Sequence, residues 1–180
     1  MRQVGLVALT LLLFTWGGAV AAPVAEEAPR VGYKAPRFSA PSLDGAQVSL
    51  GAMQGRVVLL NFWATWCAPC KEELPSLVAL QSSFPVTDFT VVALSQDADP
   101  KDVAKFLKKH PINFPNGVDE DASIGRAYQV RGLPATYLID TRGVIVERIF
   151  GPRDYDTKEW RQKIEKLIGQ GKAAPQPSKP

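Results

Sequence analysis

Two stretches of this chain, Arg56-Val-Val-Leu-Leu-Asn-Phe-Trp-Ala64 and Phe89-Thr-Val-Val-Ala-Leu-Ser95, are apolar at almost every position. A strand with one wet face would alternate, so runs of this kind predict central strands covered on both sides. Thr136–Asp140 and Val144–Phe150 flank the turn signal Thr141-Arg142-Gly143 and predict an antiparallel hairpin. Helical patterns fall between, over Pro69 to about Phe84, Lys101–Lys109, and Thr157–Ile168, where Trp160, Ile164, Leu167 and Ile168 recur at helical spacing. The expected order is strand, helix, strand, helix, an irregular stretch with a small helix near Ile124, then the hairpin and a last helix. That is an α/β chain with a mixed central sheet flanked by helices.

The ends read differently. Residues 1–22 hold Arg2, an uncharged apolar run and the small-residue arrangement Ala19-Val20-Ala21, the layout of a secretory signal, either cut after Ala21 or kept as an N-terminal anchor. Both versions place the globular part in an extracytoplasmic, oxidising compartment, either the periplasm or the outer face of the cytoplasmic membrane. No cysteine follows the apolar run, so lipid attachment there is not expected. Residues 23–30 read as a linker, 31–168 as one domain and 169–180 as a solvated tail rich in Pro, Ala and charge. The formal charge of +3 is spread along the chain, so no nucleic-acid partner is expected, and a monomer is.

Trp66-Cys67-Ala68-Pro69-Cys70 contains the only two cysteines. A disulfide closing so short a loop removes little chain entropy, so the pair is better explained by chemistry than by stability. An inert structural disulfide is the plain alternative. Zinc would need more ligands, and the one histidine, His110, lies far along the chain, so no metal is expected. The motif falls where the first apolar strand gives way to a helix, with Pro69 tolerated in the first turn. Cys67 therefore sits at a helix N-terminus, where unpaired N–H groups and the helix dipole favour a thiolate, and is the expected nucleophile. Cys70, one turn further in, is placed to resolve a mixed disulfide. The redox-active pair itself would serve in place of a cofactor. Trp66 beside the nucleophile is a candidate substrate contact, and Trp63 a packing residue.

Phe62-Trp-Ala-Thr-Trp-Cys-Ala-Pro-Cys70, then Lys71-Glu-Glu-Leu-Pro75, then Gly132-Leu-Pro-Ala-Thr-Tyr-Leu-Ile-Asp140 resemble the thioredoxin superfamily, and within it the extracytoplasmic TlpA/ResA-like thiol-disulfide oxidoreductases. Residues 32–50 resemble the N-terminal extension that this branch shares with peroxiredoxins of the AhpC/TSA type. The likeness covers residues 31–168. It implies a thioredoxin fold with an N-terminal β-hairpin and a central insertion between about Asp97 and Arg131. It also implies a cis peptide at Pro134, with the Leu133 backbone turned out to pair with an extended substrate, and a proton-handling role for Glu73. Asn61 stands where cytosolic thioredoxins carry a buried acid, so that role does not transfer and Glu73 is the expected substitute.

The resemblance implies reduction of disulfides in specific client proteins, of the cytochrome c maturation or copper-site assembly type, with a membrane protein as electron donor. Cys-Ala-Pro-Cys lacks the histidine of strongly oxidising relatives, which points the same way. Two other classes stay open. A thiol peroxidase is suggested by the N-terminal extension, although Thr65 is two residues before Cys67 where peroxiredoxins place their threonine three before. A copper carrier would use two soft thiolates, with only Met1 and Met53 in support.

Overall fold

The computed structural model describes residues 28–173. The signal or anchor segment at 1–22 lies outside that range, as does most of the expected tail. An N-terminal hairpin, β1 (Ser39–Pro41) and β2 (Gln47–Ser49), leads through a 3-10 turn at Leu50–Met53 into β3 (Val57–Trp63). Then come α1 (Ala68–Ser82), β4 (Phe89–Ser95), α2 (Pro100–Lys109), β5 (Asn116–Val118), α3 (Ser123–Ala127), β6 (Ala135–Ile139), β7 (Ile145–Phe150) and α4 (Lys158–Ala173). The main sheet runs β5-β4-β3-β6-β7, parallel from β5 to β3 and antiparallel from β3 to β7. Every residue of β3 and β4 is buried, as the two apolar runs require.

The two faces of the sheet are covered unequally. Val57, Leu59 and Trp63 of β3 and Phe89, Val91 and Ala93 of β4 pack with Leu74, Leu77 and Leu80 of α1, Val103 of α2, and Trp160 and Ile164 of α4. The opposite residues, Val58, Leu60 and Phe62, face Tyr128 and Tyr137 together with Ala35, Phe38, Ala40, Val48 and Met53 from the N-terminal segment. Three long helices thus cover one face, while the short α3 and the N-terminal extension cover the other. The extension is joined to the sheet at both ends, by backbone bridges from Lys34 to Val144 and from Ser42 to Gly117.

Two elements depart from the sequence reading. Asn116-Gly-Val118 forms edge strand β5, which three residues containing a glycine do not announce. It pairs with β4 because Gly117 lets the hairpin approach: a Cβ there would lie 2.8 Å from Ala40 Cβ and 2.9 Å from Leu94 Cδ2. The last helix continues past Ile168 to Ala173, so the first residues assigned to the tail are helical. Gly171 lies against Thr141, and Lys172 pairs with Asp88 at 2.9 Å, contacts that apolar periodicity does not register.

Gly117→Ala is expected to lower stability by about 1–3 kcal/mol through overpacking against the hairpin. Gly51→Ala, where a Cβ would meet nothing, should change it by less than about 0.5 kcal/mol. Urea unfolding of both variants measures the contrast, and equal costs would contradict the close-packing account.

Candidate active site

β3 ends at Trp63, and the chain turns through Ala64–Trp66 into α1. Trp63 is anchored by its indole N–H donating to Asn116 Oδ1 at 2.9 Å, across the sheet on β5. The turn is held from below by the buried carboxylate of Asp97, which accepts from Thr65 N at 3.0 Å, Thr65 Oγ1 at 2.5 Å and Ser95 Oγ at 2.5 Å. Asp97 sits just past the end of β4, so the central pair of strands fixes the loop that presents the cysteines.

Cys67 is the N-cap of α1, in extended backbone geometry, and its Sγ accepts from Cys70 N at 3.3 Å. The two cysteines form a disulfide with a Cα–Cα distance of 5.3 Å. Cys70 is fully buried, Cys67 is 6% exposed and Trp66 is 67% exposed. The more exposed cysteine is therefore the residue expected as nucleophile, next in sequence to a tryptophan that faces solvent. The peptide bond Leu133–Pro134 is cis. Phe62 pairs with Ala135, so Pro134 lies one position beyond, at the end of the sheet from which the cysteine loop emerges. Leu133 packs against the core cluster holding both cysteines and against the one on the other face. Its own backbone N–H and C=O make no hydrogen bond among the described residues.

Glu73 lies one turn along α1 from Cys70 and is only 3% exposed, whereas Glu72 is exposed. Its Oε1 accepts from Asn61 Nδ2 at 2.7 Å and its Oε2 from Arg153 N at 3.2 Å. Asn61 also donates to Thr136 Oγ1 at 3.0 Å. Burial pushes the carboxyl up to about 7, against the pull of these two hydrogen bonds. Tyr155 completes the cluster. Its backbone N–H donates to Ser76 Oγ at 3.0 Å, and burial, then the Glu73 charge, push its phenol well above the ordinary range. A cleft of about 270 Å3 lined by Glu72, Ser76, Pro152 and Arg153 opens onto Glu73.

All six residues singled out from sequence therefore lie at one end of the sheet, on α1, on the loop before it, or just before β6. Asp97, Thr136, Arg153 and Tyr155 were not singled out. Polar residues inside otherwise apolar strands, Asn61 and Thr136 facing each other in register, are the one signal that could have pointed to the cluster. Among the described residues no group of three or more His, Cys, Asp or Glu is arranged to hold a metal ion. Asp119 and Asp121 instead accept from backbone N–H groups at the start of α3.

The folded-state pKa of Glu73 lies above its ordinary 4.5, so an unfolded chain releases this proton first as pH rises. Glu73 thus contributes most stability below about pH 4.5, loses it up to about pH 7 and adds no further slope above, a swing of about 3 kcal/mol at most. Urea midpoints of the oxidised domain at pH 4.5 and pH 8, compared with Glu73→Gln, should show the variant lacking this loss and gaining relative stability at pH 8. Parallel pH profiles for the two proteins would contradict the buried-acid assignment.

Residues 31–148 match the family model described as AhpC/TSA. The thiol-disulfide oxidoreductase ResA of Bacillus cereus is 34% identical over 140 residues, covering 77% of this chain and 81% of the relative. The thioredoxin-like protein YneN of Bacillus subtilis is 37% identical over 137 residues, covering 74% of this chain and 78% of the relative. A Chlorobium tepidum protein assigned as the thiol:disulfide interchange protein DsbE superposes with a TM-score of 0.72 at 36% identity, covering 78% of this chain and 99% of that one. A likeness that takes in the buried strands, the Cys-X-X-Cys helix and the hairpin together makes this chain a member of the AhpC/TSA family and, on the thioredoxin fold, a thiol-disulfide oxidoreductase of the ResA-like kind.

Proposed function

We propose that this protein is an extracytoplasmic reductase of disulfides in specific client proteins, acting as a monomer and recharged by a membrane protein that donates electrons through its own thiols. The observation that carries the direction is the buried Glu73 carboxyl one turn from Cys70. A strong oxidant owes its potential to a stabilised thiolate in the reduced form, and a carboxylate near the buried thiol does the opposite. The N-terminal layout of residues 1–22 supports the compartment, whether that segment is removed or retained as an anchor. Clients of the cytochrome c maturation or copper-site assembly type fit such a reductant.

In the proposed cycle the Cys67 thiolate, favoured by the α1 N-terminus, attacks a client disulfide. A mixed disulfide forms and one client thiolate leaves, taking a proton. Cys70 then gives its proton towards Glu73, whose pKa near 7 suits both transfer directions, and attacks Cys67 Sγ. The second client thiolate leaves and the Cys67–Cys70 disulfide is restored, with two electrons passed to the client. Trp66 and the Leu133–Pro134 backbone hold the client strand beside Cys67. The donor's dithiol reverses these steps on the enzyme disulfide.

The AhpC/TSA match supports a thiol peroxidase as a second reading. Thr65, the residue nearest to a peroxidase threonine, has its hydroxyl committed to Asp97. Rapid consumption of hydrogen peroxide by the reduced domain would establish that activity instead.

Equilibration in thiol buffers, followed by the fluorescence of Trp63 and Trp66, should give a reduction potential near or below about −220 mV, whereas a value near about −120 mV would reverse the direction. Cys67→Ser should abolish client reduction, and Cys70→Ser should accumulate the mixed disulfide. Glu73→Gln should slow resolution of that mixed disulfide by about 10²-fold and remove a pH dependence centred near 7. An unchanged rate and profile would remove Glu73 from the proton path.

A further inference from the structure

Beside the cis peptide lies a cleft of about 470 Å3, walled by Leu133, Pro134 and Phe150 and carrying two arginines, Arg131 and Arg148. No acidic residue lines it. Arg131 is exposed, just before the Gly132-Leu133-Pro134 segment. Arg148 stands on β7 opposite Tyr137, its guanidinium over the rings of Tyr137 at 5.6 Å and Phe150 at 5.2 Å. Its Nε is buried and has no hydrogen-bond acceptor among the described residues. The ion pairs among those residues, Arg142–Asp140, Arg161–Asp156, Lys163–Glu147 and Lys172–Asp88, leave both arginines out. Glu147, next to Arg148 in the chain, is committed to Lys163 at 2.6 Å.

We infer that this cleft selects client segments carrying an aspartate or glutamate close to the target cysteine, with Arg131 and Arg148 taking the carboxylate and Phe150 an adjoining apolar side chain. The inference rests on the proposed role of Leu133–Pro134 in holding the client strand, since Leu133 is the wall shared by the cleft and the cysteine cluster. A guanidinium matches a carboxylate with two parallel N–H donors, and neither arginine is engaged in an ion pair among the described residues. Phe150, 54% exposed at the end of an edge strand, supplies apolar surface and lowers the local dielectric around the pair. A polypeptide segment suits the site better than a free anion, because the cleft combines apolar walls with charge and is continuous with the Leu133 backbone.

The test uses two synthetic peptides, each with one cysteine capped as a mixed disulfide with 2-mercaptoethanol. They are identical except for glutamate or glutamine two residues to either side of the cysteine. Rates of their reduction by the prereduced protein should favour the glutamate peptide by about three- to tenfold at low salt, and less as salt rises. In the Arg131→Gln/Arg148→Gln variant the ratio of the two rates should fall to about one, and Arg131→Lys/Arg148→Lys, which keeps the charge but loses the paired donors, should retain only part of it. The ratio is insensitive to how much variant protein is active. Removing two distant charges with Lys105→Gln/Lys108→Gln should leave it unchanged. A wild-type ratio near one, with the glutamine peptide still reduced, would overturn the inference and leave the reductase reading standing. A ratio that falls equally in the lysine-to-glutamine variant would overturn it in favour of overall charge. Failure of the wild type to reduce either peptide, or the neutral reagent 4,4′-dithiodipyridine, would overturn the reductase reading and this inference with it.

Discussion

The hydrogen bond from Asn61 to Glu73 ties the central strand of the sheet to the helix that carries the cysteines, with both side chains buried. One partner is the single polar side chain in the middle of an apolar strand. The other is an acid on a helix whose remaining inward residues are leucines, a cysteine and a glutamine. A buried carboxyl without donors would carry a large desolvation penalty, and Asn61 and the Arg153 backbone reduce it without removing it. What remains is an acid poised near neutral pH, one helical turn from the buried sulfur.

The two cysteines consequently lie in opposed electrostatic surroundings. The end of α1 presents an N–H group to Cys67, while the buried Glu73 carboxyl lies one helical turn from Cys70. In the proposed cycle Cys67 is the member that attacks and Cys70 the one that releases its proton to an acceptor. Burial follows the same division, since Cys67 retains a little exposure and Cys70 has none.

The N-terminal extension has a structural consequence for this site. With three long helices on one face, the other face of β3 and β6 would be open if the hairpin, the segment from Ala35 to Phe38 and Met53 did not cover it. Tyr128 and Tyr137 are enclosed there, with Tyr128 donating to Pro36 O at 2.6 Å and Tyr137 donating to Tyr128 O. This packing backs β6, the strand that follows Pro134, and so the wall on which a client segment would lie.

Much of this is legible in the residues alone. Continuous apolar runs can be buried only as central strands, Cys-Ala-Pro-Cys at a strand-to-helix junction places one sulfur at a helix N-terminus, and Thr-Arg-Gly between two strand patterns closes a hairpin, because each of these is decided by neighbours in the chain. Edge strand β5, the company kept by Glu73, and the pairing of Arg131 with Arg148 are not legible, because each is settled by residues distant in sequence. Gly117 becomes a strand only where Ala40 and Leu94 meet it. The sequence by itself determined the fold class and the placing of Cys67 at a helix N-terminus with Cys70 one turn in, all local consequences of periodicity and helix geometry. Only the tertiary structure decided that Glu73 is buried rather than solvated, since a helix position three residues after Cys70 faces inward or outward according to what the sheet places beneath it. Here that is Asn61 and Thr136, and burial against them sets the proton affinity of the acid.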